Sequence, residues 1–328
     1  MAGKLEEYKS PSIQCLPFAF QDLHISHNLT MPTATISKPP TPAITSITLS
    51  PSELETKQLT SHHLQEALEA LHRDGVLVLN NAISTDHLDA LNSRMVPEAQ
   101  TLYARTSTHH NFGLGTGNIQ QDAIVDPAFI FPDIIANPFA TAITECMLGP
   151  HPRLRFQSAN TAFKAEKRQP VHVDVHFDFP KMPFGFCINL NLIDVDPDHG
   201  STEMWLGSHL DTSWQAEVEK SGSVIPSEIL ERRRKVSPPV QPTLPKGSLI
   251  VRDLRLWHAG MPNRTDDVRV MLVTIHFPAW YRTKQTILLP ESLKGKIEWG
   301  NLVPCVEWVQ EGYDYLQGQH DHDFDLLP

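Results

Sequence analysis

The chain has 328 residues, of which 40% are hydrophobic, enough to bury a sizeable core without disulfide or metal staples. Its formal net charge of -11 excludes nucleic acid and anionic membrane as partners, since both require a basic patch. Cys15, Cys146, Cys187 and Cys305 form no CxxC pair and fit no disulfide framework, so a reduced, cytoplasmic protein is expected.

Residues 1–58 differ in composition from the rest of the chain. Pro, Ser and Thr dominate from Met31 to Ser52, which disfavours helix and builds little core. An extended N-terminal arm is expected there. The first residues lack the apolar run of a secretory signal, and no stretch reaches the ~20 apolar residues that a bilayer span needs. The domain proper is expected over 59–328. Leu64, Ala67, Leu68 and Leu71 form a helical stripe closed by Gly75. Val76 to Leu79 reads as a short buried strand, and a second helix runs from Thr85 with Leu88, Leu91 and Met95 on one face. Asn137-Pro138 is an N-cap and N1 pair opening a third helix that ends at Gly149.

From Leu154 onward the period falls to two. Phe184, Phe186, Ile188, Leu190 and Leu192 alternate with Cys187, Asn189 and Asn191. Ser248 to Val251 and Val268 to Phe277 are further strands, separated by turns such as Asp196 to Gly200 and Pro262 to Asp267. Helices first and many short strands later predict a mainly β fold, a β-sandwich or jelly roll with a helical buttress. The polar stretch 211–240 is expected to be an insertion. Its basic run, Arg232 to Lys235, reads as a solvated helix end, and the tail from His320 as peripheral. Asn28-Leu-Thr and Asn263-Arg-Thr fit the glycosylation pattern, which is common by chance.

The chemistry concentrates in Gln169-Pro-Val-His172-Val-Asp174-Val-His176-Phe-Asp178. Residues i and i+2 of a strand share a face, so His172 and Asp174 can aim at one point. His176 and Asp178 offer a rival pair. A facial set of two histidines and one carboxylate leaves positions open for a chelating oxo acid and dioxygen on iron. His258, in Arg252-Asp-Leu-Arg-Leu-Trp-His258, is the best candidate for the remaining ligand. Arg269 shares the parity of Met271, Val273, Ile275 and Phe277. An inward guanidinium needs an anion, and its fork suits the far carboxylate of 2-oxoglutarate.

These pieces, with Gly200-Ser-Thr-Glu-Met-Trp-Leu-Gly207-Ser-His209 and the run from His258 through Asn263 to Arg269, resemble the phytanoyl-CoA dioxygenase family of Fe(II)- and 2-oxoglutarate-dependent oxygenases. The chain looks most like fungal members that tailor secondary metabolites, and the resemblance spans roughly Leu64 to Phe277. It implies a double-stranded β-helix (cupin-like) fold, with His172, Asp174 and His258 as iron ligands and Arg269 as the cosubstrate clamp. It also implies that Gln169 and Thr202 contact the cosubstrate, and that Gly207 to His209 is a structural turn. The expected activity is oxidation of a hydrophobic small molecule by hydroxylation, desaturation or ring rearrangement. A metal-dependent hydrolase using Asp174, Asp178 and Asp194, and a silent binding protein on the same fold, remain alternatives, and a homodimer stays open. Phe112, Phe156, Phe184, Trp205 and Trp257 are candidates for an apolar cavity wall or for plain core.

Overall fold

The central sheet begins earlier in the chain than composition suggests. In the computed structural model, which describes residues 42–175, 181–211, 223–317 and 327, Ser46–Thr48 is already a strand (β1) and Pro51–Thr56 a helix (α1). The expected arm therefore gives up its last part to the domain. The local cause is a capping box. Ser50 and Glu53 satisfy each other's backbone N–H at the start of α1, with Pro51 at the first helical position. Glu53 is buried and also accepts from Thr60 N and His63 Nδ1, both at 2.8 Å.

The predicted helices are present as Ser61–Asp74 (α2), Thr85–Tyr103 (α3) and Pro138–Leu148 (α5), with a one-turn helix Pro132–Ile135 (α4) between the last two. Gly75, at φ 77°, closes α2 in the left-handed region. The strands are Val76–Asn80 (β2), Asn118–Gln121 (β3), Arg153–Ala162 (β4), Phe186–Asn191 (β5), Glu203–Met204 (β6), Leu249–Asp253 (β7), His258–Ala259 (β8) and Arg269–Phe277 (β9). Ile287–Pro290 (β10), Val303–Pro304 (β11) and Val306–Val309 (β12) complete the set. The main sheet has the order β1-β2-β7-β5-β9-β4-β11, with β3 joined to β4. Its two faces do different work. Ile188, Leu190, Leu249, Val251, Val270 and Leu272 pack against α2, α3 and α5 in the largest core cluster. The intervening residues point the other way, toward a cavity.

A small second sheet covers that cavity, completing the jelly roll. β6 pairs with β8, and single bridges add His172 to His258, Val224 to His172, and Val240 to Met204. The expected insertion thus contributes to the fold at Val224 and at Val240. Between them, Ser227–Val236 forms helix α6. Its basic run is only partly solvated. Arg233 lies 5.7 Å from the Trp257 ring centroid and donates to Leu206 O, and Arg234 lies 4.9 Å from the Trp205 centroid. Asn263 is buried, with its side chain bonded to Ala162 O and Asp267 O, so it is no glycosylation acceptor in this fold. His176, Asp178 and the tail segment 318–326 lie outside the described residues, as does 212–222. No helix among the described residues is long and apolar enough to cross a membrane.

Candidate metal centre

Two histidines meet through their backbones. His172 N donates to His258 O at 2.9 Å and His258 N donates to His172 O at 3.0 Å, which makes them directly opposed partners on adjacent antiparallel segments. Directly opposed residues project to the same side, and the two rings lie 4.5 Å apart between centroids. Asp174, two residues after His172, joins them. Its Oδ1 is 3.3 Å from His258 Nε2 and 3.9 Å from His172 Nε2. One ligand atom from each of the three lies within 4.8 Å of the others. Ligands held about 2.1 Å from a first-row metal are about 3 Å apart in octahedral geometry, so the set fits one ion.

Proton placement also suits a metal. His172 Nδ1 faces Pro170 O at 2.9 Å and His258 Nδ1 faces Leu256 O at 3.0 Å. A carbonyl only accepts, so His172 Nδ1 carries the proton and its Nε2 presents a lone pair toward Asp174, while His258 Nδ1 also lies 3.2 Å from Arg252 Nη1. Burial, then the neighbouring His258, pushes the His172 pKa down to about 3, so the ring is neutral at ordinary pH. Burial opposes ionisation of Asp174, yet Arg252 and then His258 hold its carboxyl well below the usual range. The main anchor is Arg252, whose Nη2 donates to Asp174 Oδ2 at 2.6 Å. Arg252 was not singled out from the sequence. The signal was available, since it shares strand parity with Ile250, and both line the cavity.

The cavity has a volume of about 420 Å³ and includes the triad, Arg269, Gln169 and Thr202 in its wall. Arg269 is 1% exposed. Its Nε has no hydrogen-bond partner, and its Nη1 reaches only the Met271 Sδ at 3.8 Å. No carboxylate among the described residues pairs with it, and burial pushes its pKa down to about 10. Gln169 is tied to the chain just after His258. Its Oε1 accepts from Gly260 N and its own N donates to Gly260 O, both at 2.9 Å. A Cβ at Gly260 would lie 2.7 Å from the Gln169 carboxamide, so only glycine permits this approach.

The aromatic candidates divide. Phe112 and Phe156 line the cavity. Phe184, Trp205 and Trp257 do not line it and are buried in a core cluster that Phe156 also joins. Gly207, at φ 72°, opens the expected structural turn, and Ser208 Oγ accepts from Trp257 N at 2.9 Å, fixing the strand that carries His258. Asp194 does not join the site. It is exposed and accepts from Lys246 N at 2.7 Å, which leaves the hydrolase constellation unassembled among the described residues.

Solved structures of similar fold include the non-heme alpha-ketoglutarate-dependent epimerase SnoN from nogalamycin biosynthesis. It is 20% identical, covering 67% of this chain and 85% of that one, with a TM-score of 0.48. EctD from S. alaskensis is 18% identical over 67% and 76%, with a TM-score of 0.49. HygX from Streptomyces hygroscopicus is 14% identical over 71% and 91%, with a TM-score of 0.48. The sequence itself matches the family described as Phytanoyl-CoA dioxygenase (PhyH) over residues 71–271, a span that runs from the end of α2 into β9 and takes in the triad and Arg269. This match covers more than half of the chain, and the protein belongs to the phytanoyl-CoA dioxygenase family.

Proposed function

We propose that the protein is an Fe(II)- and 2-oxoglutarate-dependent dioxygenase that oxidises a largely apolar small molecule of secondary metabolism, by hydroxylation, desaturation or ring rearrangement. His172, Asp174 and His258 hold the iron. Arg269 clamps the far carboxylate of 2-oxoglutarate, and Gln169 and Thr202 flank it. One observation carries this reading: a buried guanidinium without an anion shares a cavity with the His172-Asp174-His258 set. Leaving such a charge unpaired is costly, and a dicarboxylate is the ligand that would relieve it. Bound iron with the oxo acid supplies dioxygen activation, coupled to loss of CO2 and formation of succinate. The protein's part is geometric. Pro170 O fixes the His172 tautomer, Leu256 O and Arg252 Nη1 both contact His258 Nδ1, and Arg252 aims the Asp174 carboxylate.

The test is an anaerobic titration of the full chain with Fe(II) and then 2-oxoglutarate, followed by oxygen. A visible chelate absorption band and oxygen-dependent succinate release are expected. Failure to bind 2-oxoglutarate would sink the reading. His172→Ala should abolish succinate release, and His176→Ala should only weaken it. The reverse order would move the metal to the other pair.

A further inference from the structure

The wall of the cavity also constrains what is oxidised. Among the described lining residues, the charged side chains are Asp174, Arg252 and Arg269. Asp174 and Arg252 neutralise each other, and Arg269 belongs to the cosubstrate in the proposed function. Among the described lining residues, none remains for a phosphate, carboxylate or ammonium on the substrate.

What remains is neutral and polar. Asn160 and Asn189 lie on the cavity face of β4 and β5, and neither side chain has a hydrogen-bond partner among the described residues. Asn189 is only 4% exposed. Their neighbour Gln120 differs, since its Nε2 already donates to Ser158 Oγ. Asn160 stands in register between Gln120 of β3 and Met271 of β9. Asn160 is half-buried, and a bound ligand that shields its amide from water without bonding it would cost about 1–3 kcal/mol, so a ligand oxygen there is favoured.

The rim carries a strained aromatic. Phe112 sits at φ 60°, in the left-handed region that bulky residues avoid. Gly113 N donating to His110 O at 3.1 Å and Thr116 Oγ1 donating to Asn111 O at 2.7 Å hold the turn in place. The Phe112 ring leans on His172, 4.6 Å between centroids, yet the residue stays 46% exposed. A turn that already holds Gly113 beside it does not need phenylalanine at this torsion for folding. An observed outlier of this kind points to use.

We propose that Phe112 and Asn160 form the substrate-recognition face, and that the substrate is an uncharged molecule with an apolar body and a hydrogen-bonding oxygen. Phe112 packs on the apolar body beside the metal, and the Asn160 carboxamide bonds the oxygen. This rests on the iron and 2-oxoglutarate reading of the same cavity.

The test uses the full chain loaded anaerobically with Fe(II) and 2-oxoglutarate, and equilibrium dialysis against four probes. These are 1-tetralone (neutral, one ketone), tetralin (no oxygen), 1-naphthoate (an anion) and hexanoyl-CoA (a polyanion). The wild type should retain 1-tetralone about tenfold better than tetralin, the worth of one hydrogen bond, and should retain neither anion. Asn160→Ala should lower 1-tetralone to the level of tetralin. Phe112→Gly should weaken both neutral probes about tenfold without lowering the melting temperature, since glycine adopts this torsion freely. Preferred binding of naphthoate or hexanoyl-CoA overturns the proposal. So does failure of the wild type to retain either neutral probe, unchanged retention by the variants, or a large loss of melting temperature in Phe112→Gly. A wild type that does not bind 2-oxoglutarate at all instead refutes the cofactor reading.

Discussion

Replacing Arg269 by methionine should move stability and cosubstrate affinity in opposite directions. Burial lowers the Arg269 pKa from 12.5 to about 10. Each unit corresponds to about 1.4 kcal/mol, so the charge destabilises the unliganded fold by roughly 3 kcal/mol. The sign is that of a cation with a depressed folded pKa. The penalty is full below about pH 10 and is relieved only as pH rises toward 12.5. Methionine removes the charge and keeps most of the volume, so the unliganded variant should melt a few degrees higher, a net gain of about 1–2 kcal/mol. In the wild type, 2-oxoglutarate at about 100 times its Kd should add about 2.7 kcal/mol of stability. The variant loses a charge-assisted clamp worth at least about 2 kcal/mol, so its affinity should fall about 30-fold or more. Anaerobic thermal melts with Fe(II), with and without 2-oxoglutarate, read both effects. A variant that melts several degrees lower without ligand, yet keeps the full 2-oxoglutarate shift, would show that Arg269 is structural and refute the reasoning.

Arg252→Met should weaken Fe(II) binding about 10- to 100-fold, because the Asp174 carboxylate loses its anchor. The loss should deepen below neutral pH as that carboxyl begins to protonate, which metal titrations at two pH values will register. Gly260→Ala should displace the Gln169 carboxamide and raise the KM for 2-oxoglutarate more than it lowers melting temperature, as steady-state kinetics beside a melt would show. For Glu53, burial opposes ionisation, but hydrogen bonds from Thr60 and Ser50 hold its pKa at about 2, below the ordinary 4.5. Its folded pKa is depressed, so its contribution is complete above pH 4.5 and is lost as pH falls toward about 2. Glu53→Gln should flatten that limb of an acid-unfolding curve.

Strand parity made much of this site readable. The alternation around Ile188 predicted a strand, and the same period of two placed Arg269 inward. Arg252 obeys it equally and escaped notice because its partner Asp174 lies 78 positions away in sequence. No local pattern announces such a pairing. β1 and β3 are too short for periodicity to register, with three and four residues. The composition of 31–52 outweighed a local signal, Ser50-Pro51-Ser52-Glu53, that specifies a helix start. Trp205 and Trp257 could not be assigned to wall or core from sequence, since each flanks a two-residue strand that is buried throughout. The Phe112 contact depends on a turn torsion that its sequence neighbours do not dictate.

The reciprocal backbone bonds between His172 and His258 bear on how the protein meets its metal. Both imidazoles are set by the register of two strands rather than by side-chain search, so the cradle exists before any ion arrives. Metal uptake and folding should therefore be separable events. Chelation should yield a folded protein that can be reloaded, and ion exchange should proceed without unfolding. A slip of one residue in either strand would turn one imidazole out of the cradle, so pairing errors in this small sheet would yield a folded protein unable to hold iron.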